Sequence, residues 1–459
     1  MKLHRALLAL SLGYASTLSA APLTAEEVTV RRLQVQVPST FAVKSDAMSA
    51  EVKAAFPGGF PQSLGSGLAL KVAKAGKLQF WVLNDRGPNG DSPLWQDGTQ
   101  RMSSKVFPVP DFAPAFGVVE VSEEGARLLE MQPLRDAQGK ALSGRPLPPG
   151  SVGSSLEMPL TDRLQALSYD AQGVDPEGIV DAGDGTLWLC DEYGPFLLQV
   201  EAKTGRVLQR LAPGSGLPDI LRYRRPNRGF EGVAFDHGKV YGLVQSTLDI
   251  EGKTEDATFV RLVEYDARSK QTRNFAVPIE PVYKKNRDAK MGDLLALGQG
   301  RFLMVEQGKG ADGVMRNSVF LLDLNGASDL QQRTVEGKPL ESINSRQGLL
   351  SQGIQLVRKE KLLEMRDLGW MEEKLEGITL LPDRQTLAVA NDNDFGLKAS
   401  LGKQKDWEKV VADSSGQVKD LSGKVLEERY KIEAQAASDS RSRLWLVKLP
   451  KKVDQYFGF

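Results

Sequence analysis

Three Glu-Gly pairs, Glu177-Gly178, Glu231-Gly232 and Glu376-Gly377, each open a short apolar run, and Asp293 opens a fourth. A second acidic set closes the runs that follow: Asp85, Asp191-Glu192, Glu306 and Asp392-Asn393-Asp394. Carboxylates gathered in one place repel one another unless a cation neutralises them. Hard oxygen donors, with neither Cys nor His in the set, point to Ca2+, with Mg2+ as the alternative. On this reading Asp85, Glu177, Glu231, Asp293, Glu376 and Asp394 are the metal-ligand candidates. Glu177, Glu192 and Asp392 are the candidates for orienting and deprotonating water. Basic residues are interleaved with the acids: Arg86, then Arg224, Arg225 and Arg228, then Lys290 and Lys374. Cations beside guanidinium groups suit an anionic ester, a phosphate above all. Arg86, Arg228 and Lys290, with Asn391, are the expected substrate contacts. Taken singly, a Glu-Gly pair is most often a turn or strand cap and a lone Arg or Lys a solvated charge. Recurrence is what favours a shared site.

Repetition is also what could bring these positions together. Five stretches share one plan: an inner strand, a turn, a second strand ending in a polar corner, then an outer hairpin. Their inner hairpins cover 67–83, 177–190, 232–244, 293–305 and 377–390. Four-stranded antiparallel units in series are the grammar of a β-propeller. The expected fold is therefore an all-β propeller of six blades, with five or seven as alternatives, since 136–174 has room for another unit. The alternating run at 28–37 reads as a strand that completes the last sheet. Residues 340–371 read as a short helical insertion, from Leu349, Gly353, Val357 and Leu362. Residues 398–440 read as a charged loop. Both ends of an inner hairpin fall at one mouth of the channel, which places both acidic sets together.

Composition narrows the function. Residues 1–20 carry Lys2, His4 and Arg5 before a short apolar run and small residues ahead of Ala21, the pattern of an export signal. That run is too short to span a bilayer, and no later stretch is long and apolar enough. The expectation is one propeller domain over 21–459, periplasmic or secreted. Basic and acidic side chains number 59 each, or 57 against 59 once Lys2 and Arg5 are removed. That balance offers no basic field for nucleic acid. Cys190 is the single cysteine, so no internal disulfide forms. A serine triad lacks its G-x-S-x-G and its histidine, because His237 stands alone in a hairpin turn. Asp392-Asn-Asp394 is not an EF-hand, since Lys403 holds the position where that loop needs Glu.

The order of the motifs is specific. Asn84-Asp-Arg-Gly-Pro-Asn89, Asp175-Pro-Glu-Gly178, Asn227-Arg-Gly-Phe-Glu-Gly232, Lys290-Met-Gly-Asp293, Leu375-Glu-Gly-Ile378 and Asn391-Asp-Asn-Asp-Phe-Gly396 together resemble the phytase-like family, described by its esterase-like activity of phytase. The resemblance covers most of 60–450. It implies an exported propeller hydrolase acting on phosphate or carboxylic esters with a divalent metal. The chain departs from that pattern at 65–69, where Gly-Ser-Gly-Leu-Ala replaces a Gly-Gly-Leu-Ser-Gly-like stretch. The leading expectation is a monomeric, metal-assisted ester hydrolase with a small-molecule substrate. A propeller lactonase and a non-catalytic binding propeller with a structural ion are the rivals.

Overall fold

The computed structural model describes residues 21–74 and 76–458, so the export signal read over 1–20 lies outside it. Four-stranded antiparallel sheets follow one another along the chain. The first pairs Gly67–Lys74, Lys77–Leu83, Ala115–Ser122 and Gly125–Pro133. The second pairs Pro176–Asp181, Thr186–Asp191, Phe196–Glu201 and Val207–Pro213. The third pairs Phe230–Asp236, Lys239–Val244, Phe259–Asp266 and Thr272–Pro278. The fourth pairs Lys290–Gly298, Arg301–Lys309, Met315–Asp323 and Arg358–Glu364. The last pairs Gly377–Leu380, Thr386–Ala390, Arg443–Lys448 and, from the other end of the chain, Thr29–Gln36. Thr29–Gln36 runs antiparallel to Arg443–Lys448, with Arg31 opposite Leu446. Its far end lies parallel to the first sheet, with Val35 opposite Ala126.

Each sheet is apolar on both faces because each is packed between two others. Trp81, Phe116, Leu189 and Leu198 fill the gap between the first and second sheets. Trp188, Leu197, Val233 and Tyr265 fill the next. Tyr241, Phe275, Leu294 and Phe302 follow, then Leu303, Val319, Ile378 and Trp445. Leu68, Phe80, Ala388 and Leu444 join the last sheet back to the first. The cores thus lie between sheets, in a ring, as propeller packing requires. The span 136–174, where a further unit had room, carries only the short strand Met158–Leu160 among the described residues, and this pairs with Ser104–Val106.

Two segments differ from expectation. The 340–371 span contains one short α-helix, Arg346–Ser351, with Ser345 as its N-cap, and the 3-10 turns Leu340–Ser342 and Met365–Leu368. The part around Leu362 is instead the outer strand Arg358–Glu364. Its apolar alternation is masked because Lys359 and Lys361 stand at alternate positions facing Phe320, with their Nζ atoms 4.1 and 5.7 Å from the ring centroid. The 398–440 span also forms strands. Leu397–Leu401 pairs with Tyr430–Ala434, and Val410–Asp413 sits between Val418–Asp420 and Leu94–Asp97. These elements share a core of Phe60, Trp95, Phe112, Phe395, Val410 and Ile432. They grow from the connections after the second strands of the first and last sheets, so this side body stands at the mouth where the polar corners lie. No helix among the described residues is long and apolar enough to cross a membrane.

Candidate metal centre

The Glu-Gly pairs answer two separate physical demands. In the second sheet Pro176 pairs with Asp191 and Gly178 with Cys190, which leaves Glu177 in a bulge. In the third sheet Phe230 pairs with Val244 and Gly232 with Leu243, which leaves Glu231 there. A bulge re-aims the side chain it carries. The glycine that follows admits the next inner strand. A Cβ on Gly178 would stand 3.2 Å from Val233 N, and one on Gly232 would stand 2.8 Å from Gly292 O. Gly377 would meet Leu68 Cβ at 2.7 Å, and Gly67 would meet Ile179 N at 2.9 Å. The inner strands therefore approach one another around the axis wherever this glycine stands.

The fourth sheet shifts the slot. Met291 pairs with Glu306 and Leu294 with Met304, so Gly292 falls in the glutamate position and Asp293 in the glycine position. Asp293 is buried, and its carboxylate accepts the N–H groups of Leu294 at 2.8 Å and Ile378 at 3.0 Å. It ties two inner strands together and belongs to neither of the close carboxylate groups described next. Its expected place among the ligands is therefore revised.

One oxygen from each of Glu177, Glu231 and Glu376 lies within 4.8 Å of the others. The same holds for Asp85, Asp175 and Glu177, so Glu177 is common to both groups. All five residues are buried. Asp175 Oδ2 and Glu376 Oε2 have no hydrogen-bond partner, and buried carboxylate oxygens of that kind call for a partner. The cations beside them are Arg86, whose Nε is 3.5 Å from Asp175 Oδ2, and Lys374, whose Nζ is 3.9 Å from Glu376 Oε2. Hard oxygen donors converging in this way fit Ca2+ or Mg2+.

The polar corners occupy equivalent slots in the five sheets: Asp85, Glu192, Gln245, Gln307 and Asp392. Gln245 was not singled out by its residue type. Its amide nitrogen donates to Glu192 Oε1 at 3.0 Å and Glu231 Oε2 at 2.7 Å, joining the two acidic sets. Its position after the second strand of its unit, where Glu192 stands in another, was the available signal. Asp85 Oδ1 accepts the Gly87 N–H at 2.8 Å. Asp191 accepts from the Asp175 and Gly194 backbones at 2.7 and 3.1 Å and so shapes the corner. Glu306 is ion-paired with Lys359. Asp392 accepts from Ser63 Oγ, from Lys374 and from the Asp394 N–H. Asp394 lies 2.8 Å from Lys374 and is half exposed. Asn391 is committed to backbone: its oxygen accepts from Arg443 N at 2.6 Å and its amide donates to Arg441 O at 3.1 Å.

The cations divide in the same way. Arg86 pairs with Asp175 and with Glu157, 3.5 and 3.4 Å away. Arg224 donates to Tyr193 O and Ser154 O. Arg228, in contrast, has a buried Nη1 with no hydrogen-bond partner. The Lys290 charge acts on Glu192, Glu231 and Glu376.

Burial is the main force on the acids. It holds the Glu177 carboxyl well above the ordinary range, with Asp175, Glu231, Glu192 and Glu376 adding repulsion. Glu231 is raised by burial and then by Glu376 and Glu192. Asp85 is raised by burial, Asp392 and Asp175. Burial pushes Glu376 up to about 8 against the pull of Lys374. It pushes Glu192 up to about 7, with Asp175 adding and Arg86, Lys290 and Arg228 opposing. Asp392 moves the other way: burial would raise it, but Lys374 and Ser63 hold it below the ordinary value. A cluster that resists ionisation for want of positive charge is one where a bound cation displaces protons.

Comparison with known proteins adds the following. The family described as "Phytase-like: Esterase-like activity of phytase" matches residues 64–395. An uncharacterised secreted protein of Arthroderma benhamiae is 24% identical over 337 residues, which are 60% of this chain and 64% of that one. The chain thus spans just under two thirds of that relative's length. Among solved structures, the catalytic domain of a Coprinopsis cinerea GH62 alpha-L-arabinofuranosidase is 9% identical, covering 91% of this chain and 97% of that one, with a TM-score of 0.36. A Clostridium thermocellum alpha-L-arabinofuranosidase, CtGH43, is 10% identical, covering 80% and 94%, with a TM-score of 0.32. Scores this low carry no argument about reaction or blade number. The family match extends over most of the chain and takes in every Glu-Gly pair and both carboxylate groups: the chain belongs to the phytase-like family, esterase-like activity of phytase.

Proposed function

We propose that this protein is an exported, metal-assisted ester hydrolase acting on phosphate esters, built as a single five-bladed propeller and working as a monomer in the periplasm or outside the cell. The observation that carries the reading is the pair of buried carboxylate groups sharing Glu177, with two oxygens lacking hydrogen-bond donors. Membership of the family suggests a hydrolase, and the secreted relative accords with export. Glu177, Glu231 and Glu376 would hold a divalent cation, Ca2+ by preference, with Asp85 and Asp175 as the adjoining group. When bound, such an ion supplies positive charge that polarises the ester.

The remaining roles fall to the chain itself. Arg228 and Lys290 bind the anionic oxygens of the ester. Glu192, held near neutrality, takes the proton of the attacking water and returns it to the leaving alcohol. Gln245 holds Glu192 and Glu231 in place. Asp392 and Asn391 leave the reacting set, because one is paired with Lys374 and the other bonded to backbone. Arg86 orients Asp175.

The test is turnover of p-nitrophenyl phosphate, p-nitrophenyl acetate and a simple lactone, with Ca2+ and with chelator. Glu177→Gln and Glu231→Gln are expected to lose at least about 100-fold in phosphate-ester kcat/KM, the scale of one lost electrostatic contact at a reacting centre. Turnover indifferent to both chelation and these substitutions would overturn the mechanism. Lactone turnover without phosphatase activity would select the lactonase instead. One observation favours the binding propeller as a second reading: Glu231 and Glu376 are only 2% and 5% exposed, as suits a structural ion. That reading expects no turnover on the panel, but a Ca2+-dependent rise in Tm.

A further inference from the structure

Lys374 enters the centre from the segment just ahead of the last inner strand. Its Nζ lies against Asp392 Oδ2, 2.8 Å from Asp394 Oδ1 and 3.9 Å from Glu376 Oε2. Three carboxylates of one unit therefore converge on one ammonium. Glu376 also belongs to the group with Glu177 and Glu231, and its Oε2, which faces Lys374, has no hydrogen-bond donor. A divalent ion held by the three glutamates and the Lys374 ammonium would share Glu376 between them. Two cations flanking a common carboxylate is the layout of a two-metal hydrolase site, with an amine in the second place.

The chemistry of the side chain agrees. An ammonium is a compact point charge with three donors, whereas a guanidinium is a broad planar fork. Asp392, Asp394 and Glu376 all lie within 4 Å of the ammonium, so opposite charges surround it. The side chain keeps 29% of its exposure, so it faces the mouth. The other carboxylate group, around Asp85 and Asp175, is met by the edge of Arg86 at 3.5 Å instead.

We infer that Lys374 is a resident cation that fills the place of a second divalent ion on the carboxylates of Asp392, Asp394 and Glu376. The first cation position rests on the hydrolase reading above; the second stands on the Lys374 contacts alone. The test is calorimetric Ca2+ titration of the full chain as wild type, Lys374→Met and Lys374→Arg, with folding followed by circular dichroism. Lys374→Met is expected to bind one more Ca2+ per chain than wild type, and Lys374→Arg no more than wild type. Equal stoichiometry in wild type and Lys374→Met overturns the inference. A wild type that binds no Ca2+ refutes the first position only, and a gain of one Ca2+ in Lys374→Met still supports the second. A Lys374→Met protein that folds only with Ca2+ supports it as well, since the divalent ion then replaces the ammonium. Failure to fold at every Ca2+ concentration makes the lysine a structural ion pair and overturns it.

Discussion

Removing divalent cations should make this protein lose stability in mild alkali. The perturbation is chelation followed by a rise in pH from about 5 to about 8, the window set by Glu192 at about 7 and Glu376 at about 8. Each carboxyl has a folded value above its ordinary 4.5. The folded state therefore binds more protons than the unfolded state across this window, and stability is lost as pH rises through the folded values. For Glu192 alone, the move from 4.5 to about 7 corresponds to about 3 kcal/mol. Glu376 adds to this, though not additively, because the two acids share neighbours. At about 2.1 cal/mol/K of unfolding entropy per residue, a chain this long loses about 1 °C of Tm per kcal/mol, so the expected fall is about 3–5 °C. Excess Ca2+ should remove most of this slope, and Glu376→Gln should reduce it without added ion. The assay is differential scanning calorimetry in chelator and in Ca2+ at matched ionic strength. A Tm in chelator that is flat or rises from pH 5 to 8 refutes the electrostatic account of the centre.

Two further outcomes follow from the geometry. Arg228→Ala should weaken phosphate binding to the Ca2+-loaded protein by about 10-fold or more, the cost of a charge-assisted hydrogen bond, with little change in Tm. Arg224→Ala should instead lower Tm, because it leaves Tyr193 O and Ser154 O without their donor; phosphate titration and thermal melts separate the two. Gly232→Ala should destabilise the fold by about 1–3 kcal/mol, because the new methyl would stand 2.8 Å from Gly292 O in a wall that cannot give way. Urea unfolding measures this, and a change under about 0.5 kcal/mol, the range of neutral surface substitutions, would contradict the close approach of the inner strands.

Much of the ring was legible because adjacent letters carried separate demands: the glutamate for its bulge, the glycine for the strand beside it. Asp293 misled because Gly-Asp reverses that order, and only strand register shows which slot each residue fills. Gln245 went unread because a neutral amide announces no chemistry, although its slot matches that of Glu192. Lys374 was read as an interleaved charge, since its partners Asp392 and Asp394 lie across the inner hairpin and meet it only after pairing. The strand Arg358–Glu364 was hidden because Lys359 and Lys361 stand where an apolar alternation would, with their ammonium groups over the Phe320 ring. The side-body strands were hidden because Val410, Val411, Ala412, Val418 and Ile432 lie in strands of three to five residues that also carry charged residues, too short to show a period.

The strand Thr29–Gln36 sets the timetable of folding. It is made long before its partner Arg443–Lys448. Throughout synthesis the growing protein is an open arc whose terminal sheets each lack a neighbour, and unpaired strand edges of this kind invite association. Closure joins segments about 400 residues apart, so its entropic cost falls at the end, when the other sheets can already offset it. The acids of the first, second and last sheets come into register only at that step. The cation centre is thus completed by the same event that completes the ring, and a cation bound there reports a closed ring.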